Sequence, residues 1–172
     1  MGIVQSIVVG VLSGVVASIC YTLIKQILKP RVKVANILVR LEKPSVFVVK
    51  VINRSHVPIR DVDCYLVYYE RIPDGYRTRT LESRRDNTST IEKYVNDKDD
   101  PNAASLYAVQ YAFEIPSDLN FDSDDKLVFS FKATHPISGT SVYITEEYRI
   151  NTDDIRENVS YNSGNNIGVH NN

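Results

Sequence analysis

The side chains most suited to metal chemistry form an acidic run at residues 118–125. Its oxygen ligands stand at alternate positions, as they do in calcium-binding loops; they are Asp118, Asn120, Asp122 and Asp124. Ser123, however, stands where an EF-hand loop has its glycine, and Phe129 stands where such a loop has its bidentate glutamate. The competing interpretation is an acidic turn between two strands, in which Asp and Asn side chains form local hydrogen bonds. We favour the turn and predict neither a metal nor a cofactor.

A second candidate is a local group of arginines that could bind an anionic ligand. Its members are Arg77, Arg79, Arg84 and Arg85. Phosphate, a nucleotide or the membrane surface are the ligands that such a patch could hold. The competing interpretation, which we favour, is a solvated hairpin edge whose charges discourage the addition of another strand.

The residues that usually carry catalysis form no recognisable constellation. His56, His135 and His170 stand apart, and no HxH or HExxH spacing occurs. The chain also has no GxSxG, Walker or GxGxxG motif. Cys64 falls at an inward position of a predicted strand, which favours an inert thiol. We therefore predict a protein that is not an enzyme. Twenty basic and twenty-one acidic side chains nearly cancel, so we expect no nucleic-acid partner either.

The N-terminal residues are predicted to cross a membrane. Residues 1–24 carry no charged side chain, and the apolar run from Ile3 to Ile24 would form a helix about 33 Å long, close to the thickness of a bilayer core. A cleaved signal peptide is the alternative, but the segment has no basic n-region. Residues 1–6 also fit the N-myristoylation pattern, although a spanning helix needs no acyl chain. We predict a retained anchor over residues 1–29.

The charges that follow the span predict its orientation. The residues expected at the membrane interface are Tyr21, Lys25, Lys29, Arg31 and Lys33. Since the basic cluster follows the span, the positive-inside rule places the C-terminal domain in the cytoplasm and the N-terminus outside. The bilayer is the first expected partner, and a bacterial inner membrane is the expected location. Three N-glycosylation sequons, at Asn53, Asn87 and Asn158, are about what chance gives and do not change this orientation.

Small residues recur every fourth position along the predicted span. They are Ser6, Gly10, Gly14 and Ser18. This spacing places them on one stripe of a helix, where they allow two backbones to approach closely. Glycine and serine are common in spanning helices in any case, which is the competing explanation. We favour helix–helix association and expect a homo-oligomer.

Beyond Pro30 the hydrophobic pattern changes to alternation, which predicts strands. The candidates are residues 32–41, 45–53, 61–70, 76–83, 89–95, 105–114, 126–134 and 141–150. Seven or eight short strands separated by Pro, Gly, Asp and Asn turns are typical of an immunoglobulin-like β-sandwich. A small β-barrel is the alternative, because alternation does not reveal closure. We therefore predict an all-β domain over residues 31–150, followed by a disordered, Asn-rich tail over residues 151–172.

The run Lys126–Tyr148 carries a resemblance to known proteins. With its apolar strand, its His135–Gly139 turn and its returning strand, it resembles the closing hairpin of uncharacterised bacterial proteins. Those proteins have one N-terminal transmembrane helix and an immunoglobulin-like domain. The resemblance covers about 23 residues; it implies that architecture and a bacterial origin, and it implies no activity.

Two functions from different classes fit these predictions. The first is a non-enzymatic, single-pass membrane-anchored binding protein that self-associates through its helix and recognises a protein or small ligand with its β-domain. The second is a membrane-disrupting effector of a bacterial or phage defence system, in which the β-domain senses a ligand and clusters the helices. Growth arrest that depends on residues 1–29 would distinguish the effector from the anchor.

Overall fold

A computed structural model of the chain describes residues 2–84, 89–95, 104–150 and 152–171. The N-terminal helix is α1 (Ile3–Ile27), and a second, single-turn helix is α2 (Ala104–Tyr107). The strands are β1 (Val32–Val34), β2 (Leu38–Leu41), β3 (Val46–Asn53), β4 (Ile59–Ile72), β5 (Gly75–Leu81), β6 (Thr90–Ile91), β7 (Ala108–Glu114), β8 (Lys126–Thr134), β9 (Ser141–Arg149), β10 (Ile155–Glu157), β11 (Val159–Tyr161) and β12 (Val169–Asn171). Strands make up 47% of the structure, which confirms the predicted β-rich class.

Helix α1 is long and apolar enough to span a membrane. Its most apolar window has a mean hydropathy of 2.3, and none of its residues is buried against the rest of the protein. Two of its hydroxyls are satisfied within the helix: Ser13 Oγ donates to the Gly10 carbonyl and Thr22 Oγ1 to the Ser18 carbonyl, each at 2.9 Å. Such bonds suit a helix in lipid, where water does not satisfy polar groups.

One five-stranded sheet is organised around β3. Strand β7 pairs with β3 from Val46 to Ile52. Strands β1 and β2 pair with the two halves of its other edge, and β10 pairs with β2 in parallel. The predicted strand 32–41 is therefore two strands, because the chain leaves the ladder at residues 35–37.

The second five-stranded sheet is organised around β4. Strand β8 lies on one edge of β4 and β9 follows β8, while β5 and β6 share the other edge. The turn between β8 and β9 contains Gly139 with a φ of +64°, a conformation that glycine adopts without strain. Within the described ranges no sheet closes on itself, so the alternative of a small β-barrel is wrong.

The main core contains side chains from both five-stranded sheets. Alternation along β8 buries Leu127, Phe129, Phe131 and Ala133 completely, as predicted. Phe129 meets Phe113 of β7 edge-on with ring centres 6.0 Å apart. The Tyr148 hydroxyl donates to the Ala35 carbonyl at 2.6 Å, which joins the two sheets through a hydrogen bond.

The C-terminal segment differs from its predicted disorder. Within residues 152–171, β10 extends the first sheet and β11 and β12 form a separate two-stranded sheet. Val159 and Tyr161 are buried against the outer face of the first sheet, where they pack with Val39, Val46 and Val48. The division of one predicted strand and these three short strands raise the number from the expected seven or eight to twelve in the described residues. The C-terminal segment is ordered because it buries two apolar side chains, Val159 and Tyr161, despite its polar composition.

Candidate functional site

Two of the four residues of the candidate calcium loop, Asp118 and Asp122, have side chains engaged in other contacts. Asp118 accepts a hydrogen bond from Arg79 Nη1 at 2.8 Å, and this interaction lowers the pKa of its carboxyl. Asp122 accepts from the Ser123 N–H at 2.6 Å. In the part of the chain that the structure describes, no three His, Cys, Asp or Glu side chains are grouped so that they could hold a metal ion. The acidic turn between strands stays our interpretation of this segment.

Asp125, which the sequence analysis did not select, is the buried carboxylate of this turn. Its oxygens accept from the Tyr68 hydroxyl, from the Arg71 N–H at 2.7 Å and from the Asp122 N–H at 2.7 Å. Burial opposes ionisation of Asp125, but these three hydrogen bonds outweigh it, so its pKa is lowered. Burial raises the pKa of Tyr68 far above its usual value, so Tyr68 is the donor of the pair. Asp125 therefore holds the turn to β4.

The predicted arginine patch is divided in the structure. Arg77 and Arg79 lie on β5 and face Glu70 and Asp118, with N–O distances of 3.6 and 2.8 Å. Arg84 lies beyond β5 beside β7, 3.6 Å from Glu114. Arg85 is outside the described residues. Each described arginine of the set thus has a carboxylate beside it, which lowers the attraction of an anion to this surface.

Cys64 is buried in the core, as its alternating position predicts. Burial, with a smaller contribution from the charge of Asp63, raises the pKa of its thiol to about 12. The thiol is therefore protonated at neutral pH and is a poor nucleophile.

His135 has a structural role in the turn after β8. Its Nδ1 accepts hydrogen bonds from the N–H groups of Ile137 and Ser138, at 3.3 and 3.2 Å. These contacts fix the turn. His170 lies in β12, and its Nδ1 is 3.0 Å from Asn162 Oδ1.

An open groove of about 1440 Å³ lies on the outer face of the first sheet, and sequence reasoning missed it. Its floor is apolar and is formed by Val46 and Val48 of β3 and Ala112 of β7. Its wall is the loop between β11 and β12, which includes Asn162 and Ser163. Pockets that combine an apolar floor with a few polar groups are typical of binding sites. The groove exists only because the C-terminal segment folds.

Lys50 fixes the wall of this groove to its floor. The alternation of β3 places Lys50 on the outer face with Val46 and Val48, and it is 2% exposed. Its Nζ donates to the carbonyl oxygens of Asn162 at 2.6 Å and Asn166 at 2.8 Å. Hydrogen bonds from a charged donor are stronger than neutral ones. Tyr161 adds a second attachment, because its hydroxyl donates to the Ile37 carbonyl.

The sequence did contain a signal for this arrangement. Residues 159–161 alternate apolar and polar, and Lys50 is the one charged residue in the predicted strand 45–53, with apolar residues on both sides of it. A charged residue in such a strand indicates a polar partner on the outer face. The high asparagine content of the tail concealed this signal.

No protein-family model matches the chain, and no curated protein matches it.

Proposed function

We propose that this protein is a non-enzymatic, single-pass membrane protein whose cytoplasmic domain binds a protein or small-ligand partner. The observation that carries the proposal is α1, 25 residues long and without a buried residue. A helix of this length extends about 37 Å, more than the apolar core of a bilayer requires. An apolar surface of that size in water is unfavourable. Insertion into a bilayer removes it from water.

The finer fold class belongs to this proposal. We propose an immunoglobulin-like β-sandwich, with the sheets built on β3 and β4 as its two layers. The support is the shared core, in which Phe113 meets Phe129 and Tyr111 lies 6.5 Å from Phe131, ring centre to ring centre. Contacts of this kind between two inner faces are those of a sandwich.

The orientation also belongs to the proposal. Lys25, Lys29, Arg31 and Lys33 follow the apolar stretch, and the positive-inside rule places this side in the cytoplasm. The sequon at Asn53 does not argue against a cytoplasmic domain. Asn53 is fully buried and its amide nitrogen donates to the Glu92 carbonyl at 2.8 Å, so the side chain is not accessible to glycosylation. The sequon at Asn87 lies outside the described residues.

Membrane anchoring and orientation have a direct test. The full chain should stay in the membrane fraction after alkaline carbonate washing, and a chain lacking residues 1–29 should not. In intact cells an impermeant maleimide should leave an Asp74→Cys variant that also carries Cys20→Ser unlabelled and should label it after lysis. The control is the Cys20→Ser chain without the Asp74 change, whose remaining Cys64 is buried. Release by carbonate would contradict the anchor, and labelling of intact cells would contradict the orientation.

We propose the groove as the recognition surface of the domain. A photoreactive amino acid at Ser163, which is exposed on the groove wall, should cross-link to a discrete partner in cells. The same amino acid at Thr78, exposed on β5 of the other sheet, is the control. Identical products from both positions would contradict the groove. Growth arrest on expression that requires residues 1–29 would instead support the membrane-disrupting effector.

A further inference from the structure

Two large aliphatic side chains outside α1 are exposed. Leu106 of α2 is 57% exposed, and Ile137 in the turn between β8 and β9 is 74% exposed. The other exposed large apolar side chains of the described domain are tyrosines, which carry a polar hydroxyl. A single exposed aliphatic residue is unremarkable. Two exposed aliphatic side chains at the same end of a domain indicate a contact surface.

The directions of the strands place Leu106 at the end of the domain where the chain enters from α1. Strand β1 begins two residues after Pro30, and Val32 pairs with Asn53 at the end of β3. On the opposite edge of β3, Ile52 pairs with Ala108, the first residue of β7. Helix α2 directly precedes β7, so Leu106 lies at this same end.

Ile137 lies at this end of the second sheet. The Arg31 N–H donates to Ser55 Oγ at 2.8 Å, so the loop between β3 and β4 adjoins the start of β1. Strand β4 begins after that loop, and Arg60 pairs with Thr134 at the end of β8. The turn that carries Ile137 begins at the next residue. We call this part of the domain the membrane-proximal end.

The membrane-proximal end is rich in exposed basic side chains. They are Arg31, Arg54, Arg60 and Lys93, against the exposed acidic residues Asp61 and Glu92. Among the described residues none of these four cations forms an ion pair, in contrast to the arginines of β5. Residues 96–103, whose sequence adds three aspartates and one lysine, lie outside the described residues.

We propose that the membrane-proximal end docks onto anionic lipid headgroups of the bilayer that holds α1. Ile137 and Leu106 enter the headgroup region, and the basic side chains around them contact lipid phosphates. The bilayer is within reach: four residues separate Ile27 from Val32, and the five steps between these two Cα atoms span at most about 18 Å. This inference rests on the proposed membrane anchor.

Tryptophan fluorescence tests the docking in the full chain. The protein has no tryptophan, so an Ile137→Trp variant carries a single reporter. It is reconstituted into vesicles of phosphatidylcholine with phosphatidylglycerol and, separately, of phosphatidylcholine alone, each with brominated acyl chains that quench tryptophan on contact. The control is Tyr76→Trp, which is 44% exposed beside the β4–β5 turn at the opposite end of the domain.

We expect strong quenching of Ile137→Trp in the anionic vesicles and little quenching of Tyr76→Trp. Adding Arg60→Gln or Lys93→Gln to Ile137→Trp should lower the ratio of docked to undocked domain about fivefold each. Arg77→Gln, at the opposite end, should change nothing.

Each contrary outcome has a separate meaning. If carbonate releases the protein from the vesicles, the anchor fails and the docking fails with it. If the protein is retained but both tryptophans are equally quenched, the docking alone is wrong. Equal quenching of Ile137→Trp in neutral and anionic vesicles would overturn the assignment to anionic headgroups.

Discussion

Tyr161 offers the sharpest test of the folded C-terminal segment. Its ring is buried against the outer face of the first sheet together with Val48, and its hydroxyl donates to the Ile37 carbonyl. Replacing a buried aromatic side chain with alanine costs about 3–5 kcal/mol in unfolding free energy. Tyr161→Ala should therefore destabilise the domain by about 4 kcal/mol, whereas removal of a disordered tail residue would cost nothing.

A conservative change separates packing from hydrogen bonding. Tyr161→Phe keeps the ring and removes the hydroxyl, and the carbonyls of Ile37 and Val48 lose this donor. The loss of one such hydrogen bond costs about 1 kcal/mol. The matched control is Tyr143→Ala, since Tyr143 is 61% exposed on β9, shares a solvent-exposed hydrogen bond with Tyr65 and should change stability by at most about 1 kcal/mol.

Urea unfolding of the full chain in detergent, followed by tyrosine near-ultraviolet circular dichroism, measures these effects. With an m-value of about 2 kcal/mol/M, Tyr161→Ala should lower the midpoint by about 2 M and Tyr161→Phe by about 0.5 M. If Tyr161→Ala unfolds at the same urea concentration as Tyr143→Ala, the C-terminal strands contribute nothing to the fold. The groove that they form would then be unsupported as well.

Three further predictions concern other parts of the molecule. Gly10→Ile with Gly14→Ile should sharply lower self-association in a membrane two-hybrid reporter at equal expression, and Val11→Ile, off the stripe, should not; equal signals would exclude this interface. Cys64, with its pKa raised to about 12, should resist iodoacetamide at about pH 8 until the protein is unfolded, and rapid modification of the folded chain would contradict its burial. Because the pKa of Asp125 is lower in the folded chain, the stability it contributes is present above its ordinary pKa of about 4 and is lost as the pH falls through the folded value. Asp125→Asn should therefore flatten the decline in unfolding free energy as the pH falls below about 4, and an unchanged slope would refute this role.

Strands that pack against one another could be predicted from the sequence. The faces predicted for β4 and β8 are buried, because one-sided burial imposes an alternation that is visible in a single strand. The apolar helix could be predicted for a similar reason, since its composition alone satisfies the length that a bilayer requires.

Features that depend on two distant segments could not be predicted in this way. Lys50 lies in β3, and the carbonyls of Asn162 and Asn166 that it contacts lie 112 and 116 residues further along the chain. The single charge in this strand indicates that Lys50 needs a polar partner, but nothing near it in the sequence identifies the segment that supplies the carbonyls. The ion pairs of the arginines could not be predicted for the same reason, because the partners of Arg79 and Arg84, Asp118 and Glu114, come from other parts of the fold.

The C-terminal segment shows why composition alone is a weak guide to order. A segment becomes ordered when the apolar surface that it buries outweighs the conformational entropy that it loses. Here two side chains, Val159 and Tyr161, meet an outer sheet face that already presents Val46 and Val48 and would otherwise be exposed to water. The free energy gained by covering that face depends on apolar area from both segments. The sequence of the tail shows only its own share of that area. The same reasoning applies to α1, whose apolar surface is not buried within the described chain and for which we propose the bilayer as partner.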